Sequence, residues 1–166
     1  MAEESHGNGA YQLITPPNLL KAKVGVGGMG GIDPDLVKEA ESLLDTMSDE
    51  FADSVGLEVA HLMQLAMDLE TDPSTAEKIM KKLRRVGHEL RGQGTTYGYD
   101  LISEIAASLY RYTDRLYSFV ELNPEVVRAH ADAMRAVIKN KVKGDGGDIG
   151  VDLVKSLDAL VERMSG

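Results

Sequence analysis

The chain has 166 residues and a mass of 18.0 kDa, a length that suits one globular domain with its own apolar core. It carries 27 acidic residues against 18 Lys and Arg, so the net charge of −9 excludes a general nucleic-acid binder. The absence of Cys excludes disulfides, thiolate zinc sites and cysteine nucleophiles. Because the sequence has no membrane-length apolar run and no signal-peptide pattern, we expect a cytoplasmic protein without membrane contact.

Two glycine-rich stretches divide the sequence. GVGGMGG occupies residues 25–31 and GDGGDIG residues 144–150, and together they hold nine of the 17 glycines. Glycine loses more conformational freedom on folding than any other residue, so such clusters indicate loops or linkers. We therefore expect an extended or partly disordered leader over 1–31 and a helical bundle over 32–143. Residues 144–166 are expected to form a glycine-rich loop and a C-terminal helix, from about residue 151, that packs on the bundle.

Three predicted helix starts share the same chemistry. Each places a capping side chain before a proline at the first helical position, in the dipeptides Asp33-Pro34, Asp72-Pro73 and Asn123-Pro124. The capping oxygen accepts a hydrogen bond from a backbone N–H that has no partner in the helix. Proline loses no hydrogen bond at this position. The three dipeptides therefore mark helix N-termini.

Apolar residues recur at steps of three or four after each start, which is the spacing of a helix buried along one face. The apolar positions from Leu36 to Leu69 predict one long helix, or two helices with a break at Gly56. A further helix is predicted from Leu101 to Phe119. No stretch of comparable length alternates with period two, and short connections make successive helices antiparallel neighbours. The predicted fold class is all-α, an up-down-up-down four-helix bundle with additional terminal helices.

A basic segment stands out within this acidic chain. Residues 81–91, KKLRRVGHELR, carry a local charge of +4, which leaves −13 for the rest of the sequence. Such a segment indicates an anionic ligand or partner. At about 100° per residue, His88 points to solvent, away from a core face formed by residues 79, 83, 87 and 90. The solvent-facing side of His88 also holds Arg84, Arg91 and Gly92.

These residue types suit phosphoryl chemistry. An exposed imidazole is a competent nucleophile near neutral pH, and neighbouring guanidinium groups can stabilise a transferring phosphoryl group. Gly92 costs about 1 kcal/mol relative to Ala inside a helix, and close approach of a partner to His88 could offset that cost. The residues thus describe a phosphoryl-accepting histidine presented to another protein. An ordinary solvated helix face is the alternative.

The sequence HELRGQGTTYG over residues 88–98 resembles the signature of histidine-containing phosphotransfer (HPt) domains. In that family the phosphorylated His is followed by Lys or Arg at the third position, Gly at the fourth and usually Gly at the tenth. The resemblance covers roughly residues 34–142 and implies a monomeric four-helix bundle. It implies His88 as phosphoacceptor, Arg91 as the phosphate-stabilising cation and Gly92 as clearance for the partner. Glu89 departs from the small polar residue common there, which puts the efficiency of transfer in doubt.

The function that this resemblance implies is that of a two-component phosphorelay intermediate. His88 would accept a phosphoryl group from a receiver-domain Asp and pass it to another receiver. The implied partners are response-regulator receiver domains and a hybrid histidine kinase upstream. No P-loop, nucleophile elbow or kinase ATP-binding pattern occurs, so we expect neither an enzyme with its own kinase module nor a cofactor. The alternative is a helical adaptor that binds a receiver or other acidic partner without phosphotransfer.

Lys81, Arg84 and Arg85 are the expected partner-binding cations, since a receiver's phosphoacceptor site is lined with carboxylates. Other motifs are weaker. The G-x-G-x-x-G pattern over 25–30 lacks the strand and helix that dinucleotide binding needs, which favours a linker. The acidic residues of the second glycine stretch lack EF-hand spacing. His61 and His130 lie outside any Glu-x-x-His pair, so we expect no metal site.

Overall fold

The computed structural model describes residues 33–164, which form five α-helices and contain no strand. The chain divides into two compact units, Met1–Lys38 and Glu39–Gly166. In the first unit the described residues are the start of a helix, and the predicted leader over 1–31 lies outside the described residues. The helices are α1 (Pro34–Thr71), α2 (Ala76–Gln93), α3 (Asp100–Arg115), α4 (Pro124–Lys139) and α5 (Gly147–Met164).

The three predicted capping side chains each accept a hydrogen bond from the backbone N–H two residues further on. The distances are 3.0 Å for Asp33, 3.0 Å for Asp72 and 2.8 Å for Asn123. Asp72 caps a short 3-10 turn, Pro73–Thr75, so α2 itself begins at Ala76. The capping role of all three side chains and the starts of α1 and α4 are confirmed, because capping depends only on neighbouring residues, whereas α2 begins three residues after Pro73.

Within the second unit, α2, α3, α4 and the part of α1 from Glu39 onward form an antiparallel bundle. Between α3 and α4, Ser108 contacts His130, and the Tyr112 hydroxyl accepts the backbone N–H of Asn123, so residue numbers rise on one helix as they fall on the other. Arg84 on α2 reaches the Thr113 carbonyl on α3 with the same reversed order.

Helix α1 closes the bundle by lying beside both α2 and α4. Phe51 stacks on Tyr97, just beyond the end of α2, with 4.8 Å between ring centroids. Glu70 pairs with Arg128 on α4, and at the other end of α1 the Ser48 hydroxyl contacts Lys143. Phe51 also lines a surface pocket with Gln93, the last residue of α2, so α1 borders the end of α2 as well as α4. Since α3 also lies beside both, α2 and α4 are diagonal. The all-α, up-down-up-down bundle predicted from the sequence is confirmed.

Helix α5 packs outside the bundle, against α3 and α4. Its Asp158 accepts hydrogen bonds from the Ser108 hydroxyl at 2.6 Å and from Arg111 at 2.8 Å. At the C-terminal end of α5, Met164 contacts Asn123 at the start of α4. None of the described helices is both long enough and apolar enough to cross a membrane.

Helix α1 is one long helix, the first of the two alternatives that its apolar spacing left open, because buried residues before and after Gly56 hold both halves on one core face. Two predicted boundaries are wrong. Helix α3 ends at Arg115 rather than at Phe119, since the backbone becomes extended at Leu116 and the chain returns so that Asn123 can bond Tyr112. Residues 119–121 form a 3-10 turn instead.

The second wrong boundary is the start of α5, which begins at Gly147 instead of 151. The Asp145 carboxylate accepts the Gly147 N–H at 2.9 Å and so caps the helix inside the glycine stretch. Gly150 follows in the first turn and lies against the backbone of Asp145. A Cβ at residue 150 would come within 1.9 Å of the Asp145 carbonyl oxygen, so only glycine fits there.

A buried polar network joins α3, α4 and α5. His130 is fully buried. Its Nδ1 lies 2.8 Å from the Val126 carbonyl oxygen and its Nε2 lies 3.1 Å from the Ser108 hydroxyl. Burial lowers the pKa of His130. Burial by itself raises the pKa of Asp158, but hydrogen bonds from Ser108 and Arg111 outweigh it and hold that pKa below its ordinary value.

Candidate functional site

His88 lies in the second half of α2 and is exposed. The predicted core face of this helix is buried, at Ile79, Leu83, Gly87 and Leu90. The helix is therefore oriented as its apolar spacing predicts. The His88 imidazole consequently faces away from the bundle core.

Helices α2 and α3 approach each other closely beside His88, at Gly87. A Cβ at residue 87 would come within 3.2 Å of Tyr110 Cβ and 3.3 Å of the Ala106 carbonyl oxygen. Glycine thus lets the two helices pack closely at this point. One consequence is that the Tyr110 ring, on α3, lies next to the His88 ring, with 6.2 Å between the centroids.

Arg91 lies over the Tyr110 ring, at the contact between α2 and α3. Its guanidinium carbon is 4.8 Å from the ring centroid, a cation–π geometry. His88, Arg91 and Tyr110 therefore form one group, to which α2 contributes the imidazole and the cation and α3 the aromatic face. We name these three residues the His88 group.

Arg84 shares the His88 side of α2, as predicted, but its guanidinium is held within the fold. It donates to the Thr113 carbonyl oxygen at 2.7 Å, close to the C-terminal end of α3. That contact satisfies one of the carbonyls that a helix end leaves without a partner. Arg84 therefore strengthens the seam between α2 and α3, one turn before His88.

Lys81 and Arg85, the other two predicted partner-binding cations, pair with carboxylates of their own helix. Lys81 donates to Glu77 at 2.7 Å, and this hydrogen bond with the Lys81 charge lowers the pKa of Glu77. Arg85 reaches Glu89 at 3.0 Å. The Glu89 carboxylate is therefore directed toward the N-terminal side of His88. Arg85 offsets its negative charge.

Gly92 lies one turn after His88, is exposed and is inside the helix. Its φ is outside the left-handed region, and a Cβ built there meets no atom within 4 Å. Neither backbone conformation nor packing within the described residues therefore requires glycine at this position. Glycine would be required at residue 92 if an approaching molecule needed the space that a side chain would fill.

The turn after α2 requires glycine at residue 98. Gly98 has a φ of 76°, in the left-handed region where a side chain is strained. Its carbonyl oxygen accepts the Gly144 N–H at 2.9 Å, and the Gly144 carbonyl oxygen accepts the Leu101 N–H at 2.9 Å. The loop before α5 therefore completes the start of α3, two residues after Gly98.

The His88 group lies on an open surface. Pockets of about 340 Å³ and 460 Å³ are lined by other residues, the first between α3 and α5 and the second between α1 and the turn after α2. Across residues 33–164 no three His, Asp or Glu side chains are grouped to hold a metal ion. His61 pairs only with Glu58, at 3.6 Å. The G-x-G-x-x-G pattern over 25–30 lies outside the described residues.

Sequence reasoning missed Tyr110. It lies one position after the periodic apolar residue Leu109, so its spacing gave no reason to single it out. The available signal was Gly87, a glycine at a core position of a helix, which is typical of a close helix crossing. Such a glycine tells where α2 is approached, but it does not tell which side chain of the neighbouring helix lies there.

Comparison of the chain with protein-family models, with curated proteins and with solved structures found no match in any of the three. The candidate function is therefore argued from the chemistry of the His88 group, from the open space at Gly92 and from the sequence resemblance over 88–98.

Proposed function

We propose that this protein is a phosphorelay intermediate that accepts a phosphoryl group on His88 from a receiver-domain Asp and passes it to another receiver. The observation that carries this proposal is the pairing of an exposed His88 with Gly92, a helical glycine that nothing in the described fold requires. The resemblance over 88–98 to HPt domains assigns the same two residues their roles.

The transfer step uses groups that the chain supplies. A neutral imidazole nitrogen of His88 attacks the phosphorus of the aspartyl phosphate, and a P–N bond forms. The P–O bond to the donor Asp breaks, and the carboxylate leaves with the electron pair. The reverse attack by a second Asp returns the phosphoryl group to a carboxylate. Arg91 is the cation that stabilises the developing charge on the phosphoryl oxygens.

An open surface is what such a step needs. Both the donor and the acceptor are side chains of folded domains, so the phosphorus must be brought to His88 by a protein surface. A pocket around His88 would obstruct that approach. The helix around His88 is held by Gly87 against α3 and by Arg84 against Thr113, so the nucleophile is presented on a rigid support.

The test is transfer of labelled phosphate from a phosphorylated receiver domain. We expect an acid-labile label on the wild-type protein and none on His88→Gln. His61→Gln, which removes a half-buried histidine on α1, is the matched control and should accept label at the wild-type rate. Label that persists in His88→Gln would disprove the proposed site. Binding of receivers with no label moving in either direction would favour the adaptor function instead.

A further inference from the structure

We propose that Tyr110 is a positioning residue for this transfer: its ring holds the Arg91 guanidinium beside the His88 imidazole. The inference rests on the proposed function, because it concerns how the phosphate-stabilising cation of that same site is kept in place. The juxtaposition that carries it is a single aromatic ring shared by the nucleophile and the cation.

The side chains of His88, Arg91 and Tyr110 lie together at the contact between α2 and α3. Tyr110 is half-buried, and its Cα and Cβ lie against Gly87 of α2, which fixes where its side chain leaves α3. The ring centroid lies 6.2 Å from the His88 ring and 4.8 Å from the Arg91 guanidinium carbon. Without the ring, the long Arg91 side chain would sample many rotamers in solvent. The ring therefore limits where the guanidinium lies before a phosphoryl group arrives.

Holding a cation by an aromatic face leaves its hydrogen-bond donors available. Arg84 uses a donor on the Thr113 carbonyl oxygen, and Arg85 uses donors on Glu89. Arg91, by contrast, has no hydrogen bond or ion pair to any of the residues that the structure describes. Its N–H groups can therefore all be offered to phosphoryl oxygens, which accept two parallel hydrogen bonds from a guanidinium.

Two substitutions at Tyr110 distinguish a role of the aromatic face from a role of the hydroxyl group. The cation–π contact depends on the aromatic face, so Tyr110→Phe should keep it and Tyr110→Leu should lose it. Because exposed cation–π contacts are weak, losing the face should slow phosphorylation of His88 about two- to fivefold. In an Arg91→Gln background the same Tyr110→Leu change should have no further effect, because the cation to be positioned is already gone.

The experiment uses the full chain with phosphoramidate as the donor, so no receiver is needed. The donor P–N bond breaks, ammonia leaves, and the His88 nitrogen bonds to phosphorus. We would measure the phosphorylation rate, together with the NMR shifts of the Arg91 side-chain protons. The ring current of Tyr110 should displace those shifts in wild type and Tyr110→Phe and leave them near random-coil values in Tyr110→Leu.

Matched controls separate positioning from folding. Tyr117→Leu removes a fully exposed tyrosine elsewhere and should change neither readout. Unfolding midpoints identify any variant that fails to fold. Tyr110→Met then serves as a second non-aromatic replacement, since an unbranched side chain fills an irregular gap.

Three results would overturn the role of Tyr110 while leaving His88 as phosphoacceptor. They are a wild-type rate in folded Tyr110→Leu, an equal loss in Tyr110→Phe, and the same slowing by Tyr110→Leu with or without Arg91. A wild-type protein that takes no phosphate on His88 from phosphoramidate or from a receiver would instead overturn the proposed function itself.

Discussion

Gly92 and Gly94 are two residues apart and have opposite steric surroundings. A Cβ at residue 92 meets nothing within 4 Å, whereas a Cβ at residue 94 would lie 2.5 Å from Ser103 Oγ and 2.7 Å from the Tyr99 carbonyl oxygen. Gly94 is thus required by the close packing of the turn onto α3. Nothing in the described fold requires glycine at residue 92.

Alanine at these two positions should change stability in opposite directions. Gly92→Ala should raise the free energy of unfolding by up to about 1 kcal/mol, because helical alanine loses less conformational entropy. Gly94→Ala should lower it by about 1–3 kcal/mol, because the added methyl group cannot be accommodated without moving backbone. Urea unfolding of both variants checks the signs. A destabilised Gly92→Ala would contradict the open surroundings described for that residue.

A bulky residue at position 92 should slow phosphotransfer without unfolding the protein. Gly92→Gln places a side chain one turn from His88, where it would obstruct an approaching receiver. Gly56→Gln is the matched control, since Gly56 is also helical, exposed and without a neighbour within 4 Å of its Cβ, but lies on α1. We expect transfer to fall at least tenfold in the first variant and to stay unchanged in the second. Equal rates in both would remove clearance as the reason for Gly92.

Charge reversal on the His88 side should slow association with a receiver. Arg85→Glu places a negative charge next to Glu89 and should reduce the association rate at low salt several-fold, with a weaker salt dependence. Arg135→Glu is its control on the diagonal helix α4, because Arg135 is equally exposed and also pairs with one carboxylate, at 3.3 Å. Similar slowing by both variants, measured by stopped flow, would show that net charge rather than a docking surface governs encounter.

Stability should fall as the pH drops below about 6.5, the ordinary pKa of His130. Burial lowers the pKa of His130 in the folded state, so between the folded and unfolded pKa values the unfolded chain binds the extra proton. The free energy of unfolding then decreases by up to about 1.4 kcal/mol per pH unit for this one group. The Asp158 contribution is lost only at lower pH, since its pKa lies below 3.8.

Denaturant unfolding between pH 7 and pH 5 measures this slope. His130→Leu should flatten it, whereas His61→Leu, at a half-buried surface position, should leave most of it in place. An unchanged slope in His130→Leu would assign the titration to another group.

Local chemistry made the fold predictable. The capping dipeptides and the step of three or four apolar residues depend on neighbours in the sequence, and both the helix starts and the core face of α2 followed from them. The exposed position of His88 followed from the same angular argument. The two boundary errors have different causes. The end of α3 depends on a bond between Asn123 and Tyr112, which are eleven residues apart. The start of α5 is local, since Asp145 caps it at Gly147, but the surrounding glycines indicated a loop.

The candidate site was predictable only in part for the same reason. His88, Arg91 and Gly92 lie on one helix, so their common side could be worked out. Tyr110 comes from another helix, and no spacing rule gives the register between helices. The charges of Lys81, Arg84 and Arg85 were visible in the sequence, but their partners at Glu77, Thr113 and Glu89 depend on side-chain conformation and helix packing.

The reciprocal bonds between Gly98 and Gly144 bear on how the chain folds as it is synthesised. Helices α2 and α3 are adjacent in sequence, so they can pair early, once Arg115 has left the ribosome. The turn between them gains its last backbone hydrogen bonds only after residue 144 has been added, because the Gly98 carbonyl oxygen and the Leu101 N–H both bond to Gly144. Closing that long loop comes late because its entropic cost precedes any contact it gains. When residues up to α4 have emerged from the ribosome, α2 and α3 can therefore pair and carry His88, while the turn between them still lacks its bonds to Gly144.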